Sequence, residues 1–202
     1  GRCNSRHTMR KDLEELVVNT HACTNTQITL PVLLAIIDVE SGGRGFDAKT
    51  GKLLIQFEPH IFKRRAPGAE PGLWSTNIVD VQSKEWRAFN DAFSINPDAA
   101  MESTSIGLPQ IMGFHYARLG YPNVGAMWDD FKSGEEAQVS ALIRFIETDP
   151  RLAKAAMSED WHMVATVYNG AKYKELAARL KREPYNVSLE KAHAFYAEKY
   201  NG

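Results

Sequence analysis

Apolar residues fall at helical spacing along most of this chain, and their densest run, Leu33 to Gly43, reads L-L-A-I-I-D-V-E-S-G-G. Thr29 is a candidate N-cap and Pro31 suits a first turn, so the spacing predicts a buried helix that ends at the Gly42-Gly43 pair. Leu33, Ile36, Ile37 and Glu40 share one stripe of it, and Asp38 lies about 200° round from Glu40, where it is expected to face water. An amphipathic helix precedes it, from Met9 to about Thr20, with Leu13, Leu16 and Val17 on one face. After the glycines the pattern changes. Phe46 to Gly51 is turn chemistry, and Lys52 to Phe57 is a short β-like run leading to Glu58 and Pro59.

A helix containing His60, Ile61 and Phe62 is expected next, then a stretch from Ala66 to Ser83 rich in Pro, Gly, Ser and Asn that reads as a surface loop. Trp86, Phe89 and Phe93 suit a helix packed on one side, and Pro97 to Glu102 a shorter one. Further helices are expected near 123–131, 134–147, 160–168, 174–182 and 188–200. The class is therefore mainly α with one small β excursion. No internal repeat and no low-complexity segment interrupts it.

Composition narrows the function classes. At 202 residues and 44% hydrophobic, the chain can bury one substantial core and is expected to form a single domain. A formal net charge of −1 gives no overall field for nucleic acid, so charge-based binding must be local, at Arg2, Arg6, Arg10 and Lys11 or at Lys63-Arg64-Arg65. Cys3 and Cys23 are too few for a disulfide scaffold and lack metal-ligand spacing; they form either one bridge or none. No apolar run is long enough to span a membrane. The N-terminus also lacks the apolar core of a signal peptide, and Gly1 in place of methionine points to processing, a cloning scar or a fragment.

The candidate chemistry sits at Glu40. A carboxyl held against apolar side chains has its charged form disfavoured, so it can stay protonated near neutral pH and act as a general acid, as glycoside hydrolysis requires. The alternative is a helix-end glutamate in a surface ion pair. Six histidines occur without H-E-x-x-H or similar spacing, so His60, His115 and His162 are expected in packing or surface roles, which argues against a zinc amidase. No phosphate loop appears, and no cofactor or metal is implied.

Three motifs in order, E-S-G-G at 40–43, S-I-G-L-P-Q-I-M at 105–112 and V-Y-N-G at 167–170, resemble those of the soluble lytic transglycosylase and goose-type lysozyme superfamily. The run from Ala35 to Phe62, with A-A-M-E-S-T-S-I-G-L-P-Q-I-M-G-F-H-Y and Y-N-G-A-K-Y, is closer to the N-acetylmuramidase domain of modular phage endolysins, over roughly residues 30–200. Where that family usually reads S-W-G-L-F-Q-I-M, this chain has Ile106 and Pro109. Family endolysins often carry a separate wall-binding module, for which this chain has no room, so binding is expected from the catalytic groove or a partner.

The resemblance implies a lysozyme-like helical domain (α+β) with a small β-hairpin near 45–58 beside the groove, residues 1–29 packing as an arm and helix on a catalytic domain of 30–202. It implies cleavage of the β-1,4 bond between N-acetylmuramic acid and N-acetylglucosamine, with Glu40 as general acid and Glu58 as second carboxylate, whose separation decides the stereochemical outcome. It makes Ser41 a partner of Glu40, and it places Gln110, Tyr168 and Asn169 on the substrate. From residue type alone, Gln110, Tyr168 and Asn169 are equally core polar groups, and Glu58 is equally a partner of Lys63 or Arg64. Glu102, also followed by serine, is expected to be structural. Two other readings stay open, a lytic transglycosylase that closes a 1,6-anhydro ring with one glutamate, and a non-catalytic wall-binding module. The expected partner is peptidoglycan, met by a monomer in the periplasm or wall of a target cell after delivery by a holin, a virion or a secretion system.

Overall fold

The computed structural model describes residue 7, residues 9–76 and residues 81–201. Among these the helices are α1 (Lys11–Ala22), α2 (Leu30–Ser41), α3 (Pro59–Arg65), α4 (Gln82–Ile95), α5 (Pro97–Glu102), α6 (Val124–Ser133), α7 (Glu135–Glu147), α8 (Pro150–Met157), α9 (Trp161–Asn169), α10 (Tyr173–Arg179) and α11 (Tyr185–Asn201). Three short strands, β1 (Ile55–Phe57), β2 (Thr104–Ile106) and β3 (Ile111–Met112), form one antiparallel sheet in the order β1-β2-β3. The chain is mainly helical, as expected. It divides into two compact units, Gly1–Gly43 with Val139–Gly202, and Arg44–Gln138.

The first unit is organised on α2, against which α1 and α11 both pack. Val32 through Ile37 are all buried, so this helix is apolar on every side rather than on one stripe, and it sits inside a bundle as such helices must. That corrects the expectation for Asp38, which does not face water. It is 7% exposed, its Oδ2 lies 2.8 Å from Nδ1 of His7, and it accepts from the Tyr196 hydroxyl at 3.4 Å. Helix α11 covers the face that a helical wheel assigns to solvent, because a wheel carries no information about a partner that arrives 158 residues later. Burial raises the Asp38 pKa, and the bonds from His7 and Tyr196 oppose the rise.

Two glycines end α2. Gly42 takes the left-handed conformation (φ 64°) and returns its N–H to the Asp38 carbonyl at 2.9 Å. Gly43 (φ 78°) sits so close to the segment that leads into α1 that a Cβ there would lie 2.9 Å from Cγ of Met9. Helix α8 has no counterpart in the sequence reading, although its start is a capping signal: Asp149 Oδ1 accepts from the N–H groups of Arg151 and Leu152, with Pro150 at the first position.

In the second unit the β component differs from the expected hairpin. Residues 45–54 form a turn held by one bridge, Phe46 to Leu53, while β1 pairs with β2 in the register Gln56 to Ser105 and Phe57 to Thr104. The free edge of β1 is closed by side chains of α4. Gln82 both accepts from Ile55 N–H (3.1 Å) and donates to its carbonyl (2.8 Å), and Glu85 Oε1 accepts from Phe57 N–H (3.0 Å). Edge groups left open would template another strand; here they are spent internally. Trp74, within the stretch read as a surface loop, is buried edge-on to Phe62 at 4.9 Å, and its indole N–H donates to the Glu70 carbonyl at 2.8 Å. Ile106 is fully buried between Ile55 and Ile111 in the sheet. Gly107 (φ 74°) leaves room for Gln138, whose buried amide accepts from Leu108 N–H at 2.8 Å and donates to the Phe131 carbonyl at 2.9 Å.

Cys23 is exposed, and its proposed partner Cys3 lies outside the described residues, as do Arg2 and Arg6 of the N-terminal basic cluster. Arg10 of that cluster pairs with Asp12 at 3.1 Å.

Candidate active site

In the first unit, Glu40 stands on the last turn of α2. The residue is half-buried, and the neighbours crowding its carboxyl strip away water and push its pKa up to about 8. One opposing influence is present: the Tyr185 hydroxyl, at the start of α11, donates to Glu40 Oε2. Tyr185 is stacked on Tyr168 (ring centroids 6.2 Å, interplanar 21°), and Phe145 meets Tyr168 edge-on at 5.4 Å. Four helices, α2, α7, α9 and α11, thus contribute Glu40, Phe145, Tyr168 and Tyr185 to one contiguous group.

Tyr185 escaped the sequence reading. P-Y-N at 184–186 looks like a loop-to-helix junction, and nothing local marks a tyrosine whose partner is 145 residues away. Tyr168, singled out from the Y-N-G motif, does belong to the Glu40 group, through Tyr185 and the stacking contact. Asn169 is exposed at the end of α9. Ser41 is buried, and its hydroxyl donates back to the Ile37 carbonyl at 3.1 Å.

In the second unit, Glu58 sits where β1 gives way to α3. Extended backbone puts Gln56 and Glu58 on the same side of the strand, and Gln56 Nε2 donates to Glu58 Oε1 at 3.1 Å. His60 Nδ1 lies 3.6 Å from Glu58 Oε2. The Glu58 side chain is 27% exposed, and its backbone N–H donates to the Ser103 carbonyl at 2.9 Å, which fixes the junction to the start of β2. Burial raises the Glu58 pKa, with Gln56 pulling the other way. The pairing with Lys63 or Arg64 does not form among the described residues; the arginine of that run in an ion pair is Arg65, 3.4 Å from Glu102.

Gln110 occupies the turn between β2 and β3 with φ 48°, an unusual value for a residue with a side chain. Its amide holds that turn in place. Nε2 donates to the carbonyls of Gly107 (2.9 Å) and Leu54 (3.2 Å), while Oε1 accepts from the Ser105 hydroxyl at 3.1 Å. Both amide hydrogens are therefore committed to protein carbonyls, leaving acceptor capacity on Oε1 alone.

Among the described residues no three His, Cys, Asp or Glu side chains converge as a metal site, and no helix is long and apolar enough to cross a membrane. Each unit holds one carboxyl group raised above its ordinary pKa: Glu40 in the first, with a tyrosine hydroxyl on it, and Glu58 in the second, with a glutamine amide on it.

Comparison with known proteins gives this geometry a family. The structure is similar to the crystal structure of a Burkholderia AP3 phage endolysin, with 33% sequence identity and a TM-score of 0.70, over 96% of this chain and 72% of that one. No curated protein matches. The profile of the N-acetylmuramidase family matches residues 29–197, a span that takes in Glu40, Glu58, Gln110 and Tyr168, and the chain belongs to that family.

Proposed function

We propose that this N-acetylmuramidase hydrolyses the β-1,4 bond between N-acetylmuramic acid and N-acetylglucosamine with Glu40 as proton donor and Glu58 as the second carboxylate. As a family member the chain is a glycoside hydrolase that degrades peptidoglycan. What carries the assignment of the acid is the Glu40 carboxyl at the end of α2, with a pKa pushed up to about 8, so that the protonated form predominates at neutral pH. Tyr185 holds Oε2, and Oε1 delivers the proton to the leaving oxygen. Glu58, ionised, either activates water or stabilises the oxocarbenium-like centre.

The supporting residues divide by what their side chains have left to offer. Tyr168 positions Tyr185, and through it Glu40, by stacking. Asn169, exposed beside it, is assigned to the substrate's N-acetyl or hydroxyl groups. Ser41 steadies the last turn of α2 next to Glu40. Gln110 acts mainly by shaping the β2–β3 turn, with its remaining acceptor capacity available to a sugar hydroxyl. Residues 30–202 work as one catalytic domain, with residues 1–29 as its arm, on a monomer brought to the wall by a holin, a virion or a secretion system.

Mass spectrometry of digested sacculi tests the reaction. Hydrolysis leaves reducing muramic ends; a transglycosylase leaves 1,6-anhydro ends lighter by one water. Reducing ends are expected throughout the time course. A predominance of anhydro ends overturns the hydrolytic reading and removes the need for Glu58, and sacculi bound but left uncut overturn both catalytic readings.

A further inference from the structure

Helix α3 starts at Glu58 and carries three consecutive cations, Lys63, Arg64 and Arg65, in its last turn. They are not equivalent. Arg65 is committed to the fold of the second unit: its guanidinium pairs with Glu102 at 3.4 Å and lies over the Phe114 ring at 5.1 Å. Lys63 and Arg64 are exposed, and neither is in an ion pair among the described residues. No acidic residue lies within α3 itself.

Helical geometry relates these cations to Glu58. Arg64 and His60 are one turn apart and share a face, with Lys63 beside them. The Nδ1 atom of His60, whose side chain is 66% exposed, is 3.6 Å from the Glu58 carboxylate. At 1.5 Å per residue the six steps from Glu58 to Arg64 span about 9 Å, so one exposed strip runs from the carboxylate to two cations that no ion pair neutralises among the described residues. Their place in the last turn also suits the negative end of the helix, an effect on stability that a melting curve reads separately.

We propose that Lys63 and Arg64 form a subsite for the carboxylates of the stem peptide attached to muramic acid, so that the enzyme prefers peptide-bearing glycan to bare glycan. The proposal rests on the assignment of Glu58 to the reacting bond. An acidic peptide is favoured over a separate anionic polymer because it is covalently carried by the sugar being cut. Wherever the bond reaches Glu58, a stem carboxylate comes within about a disaccharide of it, at the range the strip covers. Arg64 can grip a carboxylate bidentately and Lys63 can meet it as a point charge.

The experiment compares kcat/KM of wild type and a Lys63→Gln/Arg64→Gln variant on two purified substrates, intact sacculi and the same glycan after an amidase has hydrolysed the lactyl amide, which removes the stem carboxylates and leaves only the lactyl carboxylate on the sugar. Wild type should favour the peptide-bearing substrate, and the preference should fall about fivefold in the variant, the loss entering through KM; exposed charge pairs have effects of this order. Wild-type preference should also weaken as salt is raised, and that salt dependence should flatten in the variant. Equal losses on both substrates, or a preference unchanged in a variant that melts like wild type, would overturn the subsite. A Lys63→Arg/Arg64→Lys variant keeps both charges and should retain the preference, which separates charge from folding. Glu58→Gln, run alongside, reports on the assignment beneath the subsite: near-native activity retained there would remove Glu58 from the reacting bond, whatever the two substrates show.

Discussion

Tyr185 donates its hydroxyl hydrogen to Oε2 of Glu40, across 145 residues of sequence, and the bond ties the first turn of α11 to the last turn of α2. A donated bond favours the ionised carboxylate, so Tyr185 partly offsets the burial that raises Glu40. Tyr185→Phe keeps the ring and removes the bond. With Glu40 as the proposed acid, the alkaline limb of the pH–rate profile is expected near pH 8 and should move to higher pH in the variant, and kcat at the optimum should fall by about tenfold or more, since a bond to a charged group is worth roughly 1.5–3 kcal/mol. A limb that does not move would show that the hydroxyl has no bearing on the acid.

Gln56 is the corresponding influence on Glu58. Its amide at 3.1 Å lowers a pKa that burial raises. Gln56→Leu should therefore shift the acid limb to higher pH and leave the alkaline limb in place, as measured by initial rates on sacculi between pH 4 and pH 9. Movement of the alkaline limb instead would reverse the assignment of the two carboxyls.

The same burial makes Glu40 a cost to the folded state. A carboxyl whose pKa rises from 4.5 to about 8 on folding binds its proton more tightly in the native protein. Its contribution to stability is complete below about pH 4.5 and is lost as pH rises towards and through 8. Wild type should lose thermal stability between pH 5 and pH 8.5, and Glu40→Gln, which cannot ionise and still accepts from Tyr185, should lose less. At pH 8.5 the variant should melt at least about 2 °C higher, the shift that one kcal/mol produces in a chain of this size. Equal melting curves at both pH values would argue against a buried, protonated Glu40.

Much of this arrangement is legible in the sequence. The apolar run, the proline in its first turn and the closing glycine pair are local signals, and α2 has the predicted position. So do the strand leading to Glu58 and the helix that begins at Pro59. What escapes is non-local. Gln56 pairs with Ser105, 49 residues on, so a local pattern suggests a hairpin where the chain forms a three-stranded sheet. Asp38 reads as solvent-facing until α11 covers it, and Tyr185 reads as a helix start until its hydroxyl meets Glu40. The missed helix α8 is a different case, because the Asp149-Pro150 cap was in plain view.

The buried Asp38 gives a prediction about stability alone. Asp38→Ala leaves His7 and the Tyr196 hydroxyl without their acceptor, and an orphaned buried group costs about 1–3 kcal/mol. Urea unfolding should show a lower midpoint, with an extrapolated unfolding free energy reduced by about that amount. Activity of the folded fraction at low temperature should stay near wild type, since Asp38 lies on the far side of α2 from Glu40.

In the proposed mechanism Glu40 supplies the proton to the leaving oxygen and Glu58 acts as the ionised carboxylate. Turnover of Glu40→Gln and Glu58→Gln on sacculi at the wild-type pH optimum tests it most directly, with circular dichroism confirming that each variant is folded. Glu40→Gln should lose about 10²- to 10⁴-fold, the usual contribution of a general acid, and Glu58→Gln should lose a large factor in kcat with little change in KM. A folded Glu40→Gln enzyme with near-native turnover would contradict the account.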